Sequence, residues 1–235
     1  MPRWLVIFLV LYAGAGTLLA GLMAYNPTAE ERLRRKLNLP TYTYSAYQTV
    51  LSNHYENRLQ LWKERPILFL GDSHIQYFDT SIISDQIMNL GVGGLTSNLL
   101  REHLRAYEIN DAQILVIGIG INDLMRLGSN QAQQNIRALI KDLQRRDEPW
   151  FMMEVMPVNE ALVSSTQNAE IVKLNALIEK LCAAPCQKLA VYDQLLGPSG
   201  QLDQQYDSGD GLHLNREGYV VLSNTIQSTL GVKRD

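Results

Sequence analysis

Ser73, Asn122 and the block Asp210-Gly211-Leu212-His213 are the residues whose types could do chemistry together. Acyl transfer needs a nucleophile, a base, a group that orients the base, and donors for the oxyanion. Ser73 can attack a carbonyl carbon. His213 can take the serine proton and return it to the leaving alcohol. Asp210, three residues before His213, can hold one imidazole nitrogen so that the other faces Ser73. The backbone N–H of Ser73, a backbone N–H in the turn Gly91-Val92-Gly93-Gly94 and the Asn122 amide can point at the developing oxyanion. Each piece also has an ordinary reading: Ser73 as a helix N-cap, the glycines as a loop, Asn122 and Asp-Gly-Leu-His as turn residues. Their positions join them, because each follows a short apolar run.

Those runs read as buried strands. Ile67 to Leu70 precedes Gly71-Asp72-Ser73, Ile87 to Leu90 precedes the glycine turn, and Ile114 to Gly118 precedes Gly120-Ile121-Asn122-Asp123. Trp150 to Met156 and Leu189 to Tyr192 read as the fourth and fifth strands. Between them the spacing predicts helices over Thr96–Tyr107, Asn130–Arg146 and Gln167–Leu181, with a closing helix over Asn215–Leu230. Alternation of strands with helices this long implies right-handed crossovers and a parallel sheet covered on both faces. The expected class is therefore α/β, with five parallel strands in the order 2-1-3-4-5. In such a sheet every candidate residue lies at a strand's carboxyl end and faces one crevice.

The four blocks resemble those of the SGNH (GDSL-type) hydrolase superfamily, over residues 65 to 235. Gly71-Asp72-Ser73 resembles the first block, so the resemblance makes Ser73 the nucleophile. Asn89-Leu90-Gly91-Val92-Gly93-Gly94 resembles the second, with Gly94 in the place of the oxyanion-hole glycine. Gly120-Ile121-Asn122-Asp123 resembles the third and makes Asn122 the side-chain donor. The last block gives Asp210 and His213 the rest of the triad. The resemblance implies a flavodoxin-like three-layer α/β/α fold, ester hydrolysis, and no metal or other cofactor. Two positions depart from it: His74-Ile75 follows the serine where Leu-Ser is common, and Leu95 stands where many members have Asp. Asp72 and Asp123 read as scaffolding for the loops. His74 reads either as a pocket residue or as a surface or packing one, His54 as a packing or surface residue, and His103 as structural.

At 235 residues with net charge −3, the chain holds one sizeable domain plus a short segment and lacks the basic footprint of a nucleic-acid binder. Residues 4–25 carry no charge and are almost wholly apolar. As a helix they would run roughly 33 Å, enough to cross a bilayer, with Trp4 and Tyr25 as interfacial aromatics. That apolar stretch is longer than a cleaved signal peptide's, and no Ala-x-Ala-like site follows it. The organisation read from the chain is a transmembrane or signal-anchor segment at residues 1–25, a helical stem at 26–64 and a hydrolase domain at 65–235. Arg32, Arg34, Arg35 and Lys36 follow the span, so the positive-inside count places the domain in the cytoplasm. A short leader before an N-terminal span fits export, which is the orientation taken here. Cys182 and Cys186 would then pair in a disulfide; two buried thiols is the alternative.

There is no Gly-x-Ser-x-Gly elbow, no Gly-Lys-Ser/Thr phosphate loop and no His-Glu-x-x-His zinc helix. The expected function is a membrane-anchored serine esterase removing a small acyl group, acetyl first, from an envelope glycan or lipid. Alternatives on the same triad are an acyltransferase, a lipase or a thioesterase. A different class is an idle fold of this type that only binds an acylated ligand or partner.

Overall fold

Five short apolar runs pair into one parallel sheet in the order β2-β1-β3-β4-β5. The computed structural model describes residues 46–61, 67–106 and 114–231. The expected membrane span at residues 4–25 and residues 26–45 of the expected stem lie outside the described residues. Among the described residues, no helix is long and apolar enough to cross a membrane.

The chain runs α1 (Ala46–Leu61), β1 (Ile67–Gly71), α2 (Ser73–Gln76), β2 (Ile87–Gly91), α3 (Ser97–Ala106), β3 (Ile114–Gly118), α4 (Ile121–Leu127), α5 (Ser129–Leu143), β4 (Trp150–Met153), α6 (Asn168–Leu181), β5 (Cys186–Leu189) and α7 (Arg216–Leu230). Every residue of β1 is buried, as a central strand covered on both faces requires. Alternate residues serve the two faces. Ile67, Phe69, Val116, Phe151, Met153 and Leu189 pack with Ile75 of α2 and with Leu222 and Ile226 of α7. Leu68, Leu70, Leu115 and Ile117 point the other way, and on that side α3, α5 and α6 pack side by side. The register sets Gly71 opposite both Gly91 and Gly118, so three glycines form one row across the sheet's carboxyl end.

Three elements depart from the pattern expected of the sequence. Gly120, at φ +135, starts a further helix, so Asn122 sits on α4 rather than in a loop. Strand β4 ends at Met153 instead of Met156. Past that point the ladder is replaced by asparagines of α6: Asn175 Oδ1 accepts from Val155 N–H at 2.8 Å and its Nδ2 donates to the Val155 carbonyl at 2.9 Å. Asn168 does the same for Val158. Strand β5 comes earlier than expected, at Cys186–Leu189 rather than Leu189–Tyr192. The N–H groups of Val191 and Tyr192 instead donate to a carboxylate oxygen of Glu154. Cys182 and Cys186 are joined in a disulfide between α6 and β5.

Helix α1 belongs to the same compact unit as the sheet, Tyr44–Asp235. Its Tyr55 is buried, and the hydroxyl donates to the Gly91 carbonyl at 3.0 Å. Replacing that donor by Tyr55→Phe leaves a carbonyl unpaired at the end of β2. Chemical denaturation is expected to show a loss of about 1–2 kcal/mol.

Candidate active site

The first turn after β1 carries the serine. Asp72 caps α2, accepting from the His74 N–H at 3.0 Å, while its own N–H donates to the Gly118 carbonyl at 3.1 Å. Strands β1 and β3 close up so tightly here that a Cβ at position 71 would lie 1.9 Å from the Gly118 oxygen. Only glycine fits there. Ser73 follows at once, held by the same turn and 7% exposed.

The loop between β5 and α7 brings His213. Asp207 Oδ1 accepts from the N–H groups of Gly209 and Gly211, at 2.8 and 2.9 Å, and tightens the loop. Asp210 Oδ1 accepts from Leu212 and His213 N–H, at 2.9 and 2.8 Å. Its Oδ2 is left to accept from His213 Nδ1 at 2.5 Å. His213 Nε2 then lies 2.8 Å from Ser73 Oγ. With Nδ1–H donated to the carboxylate, Nε2 presents a lone pair to the serine hydroxyl, which is the tautomer a general base needs. Burial works to raise the Asp210 carboxyl, but the His213 ring and the two N–H groups outweigh it and hold the group down at about 2.

Asn122 is buried on α4, and its Nδ2 has no hydrogen-bond partner among the described residues. An amide N–H left unpaired in the interior is costly, so an idle donor there calls for an explanation. The glycine turn is fixed by Gly93, whose N–H donates to Gln76 Oε1 at 2.6 Å, and by Gly94 at φ +74, a conformation that favours glycine. Ser73, His213 and Asp210 are thus in one hydrogen-bonded chain, and Gly94 and Asn122 follow β2 and β3, the strands on either side of β1. His54, exposed on α1, and His103, on α3, lie outside this chain. Burial pushes the His103 imidazole down to about 4. Among the described residues, no group of three or more His, Cys, Asp or Glu side chains could hold a metal ion.

A family model for the GDSL-like lipase/acylhydrolase family matches residues 69–221. The chain belongs to that family. It is accordingly a hydrolase acting on ester bonds. A Streptococcus pneumonia structure assigned to a platelet activating factor is 28% identical, with TM-score 0.71 over 78% of this chain and 92% of that one. A GDSL-like lipase from Bacteroides thetaiotaomicron shares the fold at 20% identity, with TM-score 0.63 over 77% of this chain and 97% of the other. An acetyl xylan esterase, AlAXEase, does so at 18% identity, with TM-score 0.58 over 70% and 99%. Among curated proteins, an Escherichia coli N-acylneuraminate cytidylyltransferase is 26% identical over 206 residues. The match covers 84% of this chain, which spans only 46% of that longer protein.

In this GDSL-family chain, sequence reasoning did not see how the loops are wired. Asp123 accepts from Ser97 N–H at 2.8 Å, Ser97 Oγ at 2.7 Å and Asn135 Nδ2 at 2.9 Å, tying α4 to the start of α3 and the middle of α5. Tyr77, 59% exposed, sets its ring edge-on to His213 at 5.3 Å between centroids. Ser97, Asn135 and Tyr77 sit 26 and 12 residues from Asp123 and 136 from His213, with no local pattern to announce them. Burial pushes the Asp123 carboxyl up to about 6 against the pull of those three hydrogen bonds. Its folded value thus lies above the unfolded value of about 3.9. The stability it contributes is complete below about pH 4 and is lost as pH rises through about 6. Denaturation curves of wild type and Asp123→Asn, compared between pH 4 and 7, should show this step only in the wild type.

Proposed function

We propose that the protein is a serine esterase that removes a small acyl group, acetyl first, from a glycan or lipid of the cell envelope. The observation that carries this reading is the chain Asp210–His213–Ser73, closed by distances of 2.5 and 2.8 Å. Ser73 Oγ attacks the ester carbonyl as His213 Nε2 takes its proton, with Asp210 holding the imidazolium that forms. The tetrahedral oxyanion is met by Asn122 Nδ2 and by the N–H groups of Ser73 and Gly94. The alcohol leaves with the proton from His213. Water then attacks the acyl-serine by the same route, which regenerates Ser73 and releases the acid.

One relative supports an acyl ester on a sugar: a fold relative is an esterase of acetyl xylan. Residues 4–25 would anchor the chain in a membrane, residues 26–64 would serve as a stem, and residues 65–235 would act outside the cytoplasm. The Cys182–Cys186 disulfide supports export, since such bonds persist in oxidising compartments. Transfer of the acyl group to another alcohol would use the same residues. The test therefore compares p-nitrophenyl acetate, butyrate and octanoate, and then acetylated glycans with and without an added acceptor alcohol. Acetate is expected to turn over best, with acid released rather than a new ester.

Two mutations test the roles. Ser73→Ala is expected to abolish both turnover and labelling by a fluorophosphonate probe while leaving the fold intact; residual labelling would remove Ser73 as nucleophile. Asn122→Ala is expected to lower kcat roughly 10²–10³-fold. Because its amide has no partner to lose, stability should fall by no more than about 1 kcal/mol. A kcat loss under tenfold would take Asn122 out of the oxyanion hole.

A further inference from the structure

His74 follows the nucleophile and has no part in the steps above. Its side chain is buried, 5% exposed, and both ring nitrogens face acceptors. Nε2 lies 2.9 Å from the carbonyl of Leu212, the residue before His213. A carbonyl only accepts, so Nε2 carries a hydrogen. Nδ1 lies 3.3 Å from Oδ1 of Asp72, itself only 2% exposed. A neutral ring with its proton on Nε2 would turn the Nδ1 lone pair towards a buried carboxylate. A second proton, on Nδ1, removes that repulsion and supplies the counter-charge that a buried carboxylate requires. The rings of His74 and His213 stand 5.6 Å apart between centroids.

We propose that His74 is a positively charged positioning residue, which clamps the Asp210–His213 loop to the nucleophile turn and favours the unprotonated form of His213. The clamp is the Nε2–H donated to Leu212, one residue from the base. The charge acts through space, because a fixed positive ring beside His213 opposes a second positive ring. Burial resists charging His74, but Asp72, the Leu212 carbonyl and Asp210 together raise its affinity for a proton above the ordinary value. The other titratable groups around it are His213, Tyr77, which is edge-on to His213, Tyr219, whose hydroxyl donates to the His74 carbonyl at 3.0 Å, and Glu154, which lines the same small cavity of about 10 Å³. The inference rests on the reading that His213 is the base.

The full chain, its His74→Gln variant and its His74→Leu variant are compared on p-nitrophenyl acetate across pH. Gln keeps one donor for Leu212 without the charge, and Leu keeps neither. In both variants the acid limb of kcat/KM is expected to move to higher pH, by about 0.5–1 unit. At the pH optimum kcat should fall about tenfold or more in His74→Leu and less in His74→Gln, with KM within about threefold. Folded variants whose acid limb stays in place would overturn the charge. Equal kcat values in the two variants would overturn the clamp. Nitrogen NMR of the wild-type protein at neutral pH gives a reading independent of any variant: both His74 nitrogens should be protonated, and a neutral ring would sink the proposal. Failure of the underlying reading is seen separately, as turnover that survives in His213→Ala.

Discussion

Three glycines in one row across the sheet are the constraint on which the site depends. Gly71, Gly91 and Gly118 lie side by side at the carboxyl ends of β1, β2 and β3. No side chain rises from that row, and the first helical turn is laid directly on it. A Cβ at Gly91 would meet the Gln76 nitrogen at 2.2 Å, and one at Gly118 would meet Ile75 at 2.8 Å. Side chains in the row would lift α2 off the sheet. Ser73 would rise with it, and the 2.8 Å contact to His213 depends on its height. The sheet therefore sets the position of Ser73 before any polar interaction does.

Aspartates then hold the loops in place, and their surroundings give them different chemistry. Asp210 has a half-exposed side chain and four donors, so it stays ionised and can orient His213. Asp123 has three donors but no exposure, and burial wins in the opposite direction. The difference suits their places. On the proposed reading, the carboxylate beside His213 must carry charge throughout the working range. The one on α4 needs only to accept hydrogen bonds from Ser97 and Asn135. Asp72 is buried as deeply as Asp123 but has an imidazole beside it, which is the third way to keep a carboxylate in an interior.

The sheet was legible because its signals are local. Short apolar runs ending in glycine gave β1, β2 and β3 to within a residue, and helix-length spacers gave the parallel order. The candidate site was legible for a related reason: strand ends in a parallel sheet share one edge, so residues far apart in sequence could be grouped without coordinates. The errors came where a distant side chain replaced a backbone partner. Asn175 and Asn168 take over the chain after Met153, and Glu154 takes the N–H groups of Val191 and Tyr192, so β4 and β5 both differ from the apolar runs that suggested them. His74 was ambiguous for the same reason. Its partner Leu212 is 138 residues away and is met through a carbonyl, which leaves no trace in residue type.

Asn122 shows how such a site sets stability against activity. A buried amide with an unpaired N–H weakens the fold, because in the unfolded chain water would satisfy it. A partner built into the protein would remove that cost, but the donor would then be occupied when substrate arrived. On the proposed reading the missing acceptor is the oxyanion, which exists only once Ser73 has attacked. A donor satisfied in the transition state and not before lowers the barrier without tightening ground-state binding. The same logic explains why the surroundings are so heavily cross-linked by Asp123, Ser97 and Asn135. An unpaired amide keeps its aim only if its neighbours stop it from relaxing towards some other acceptor.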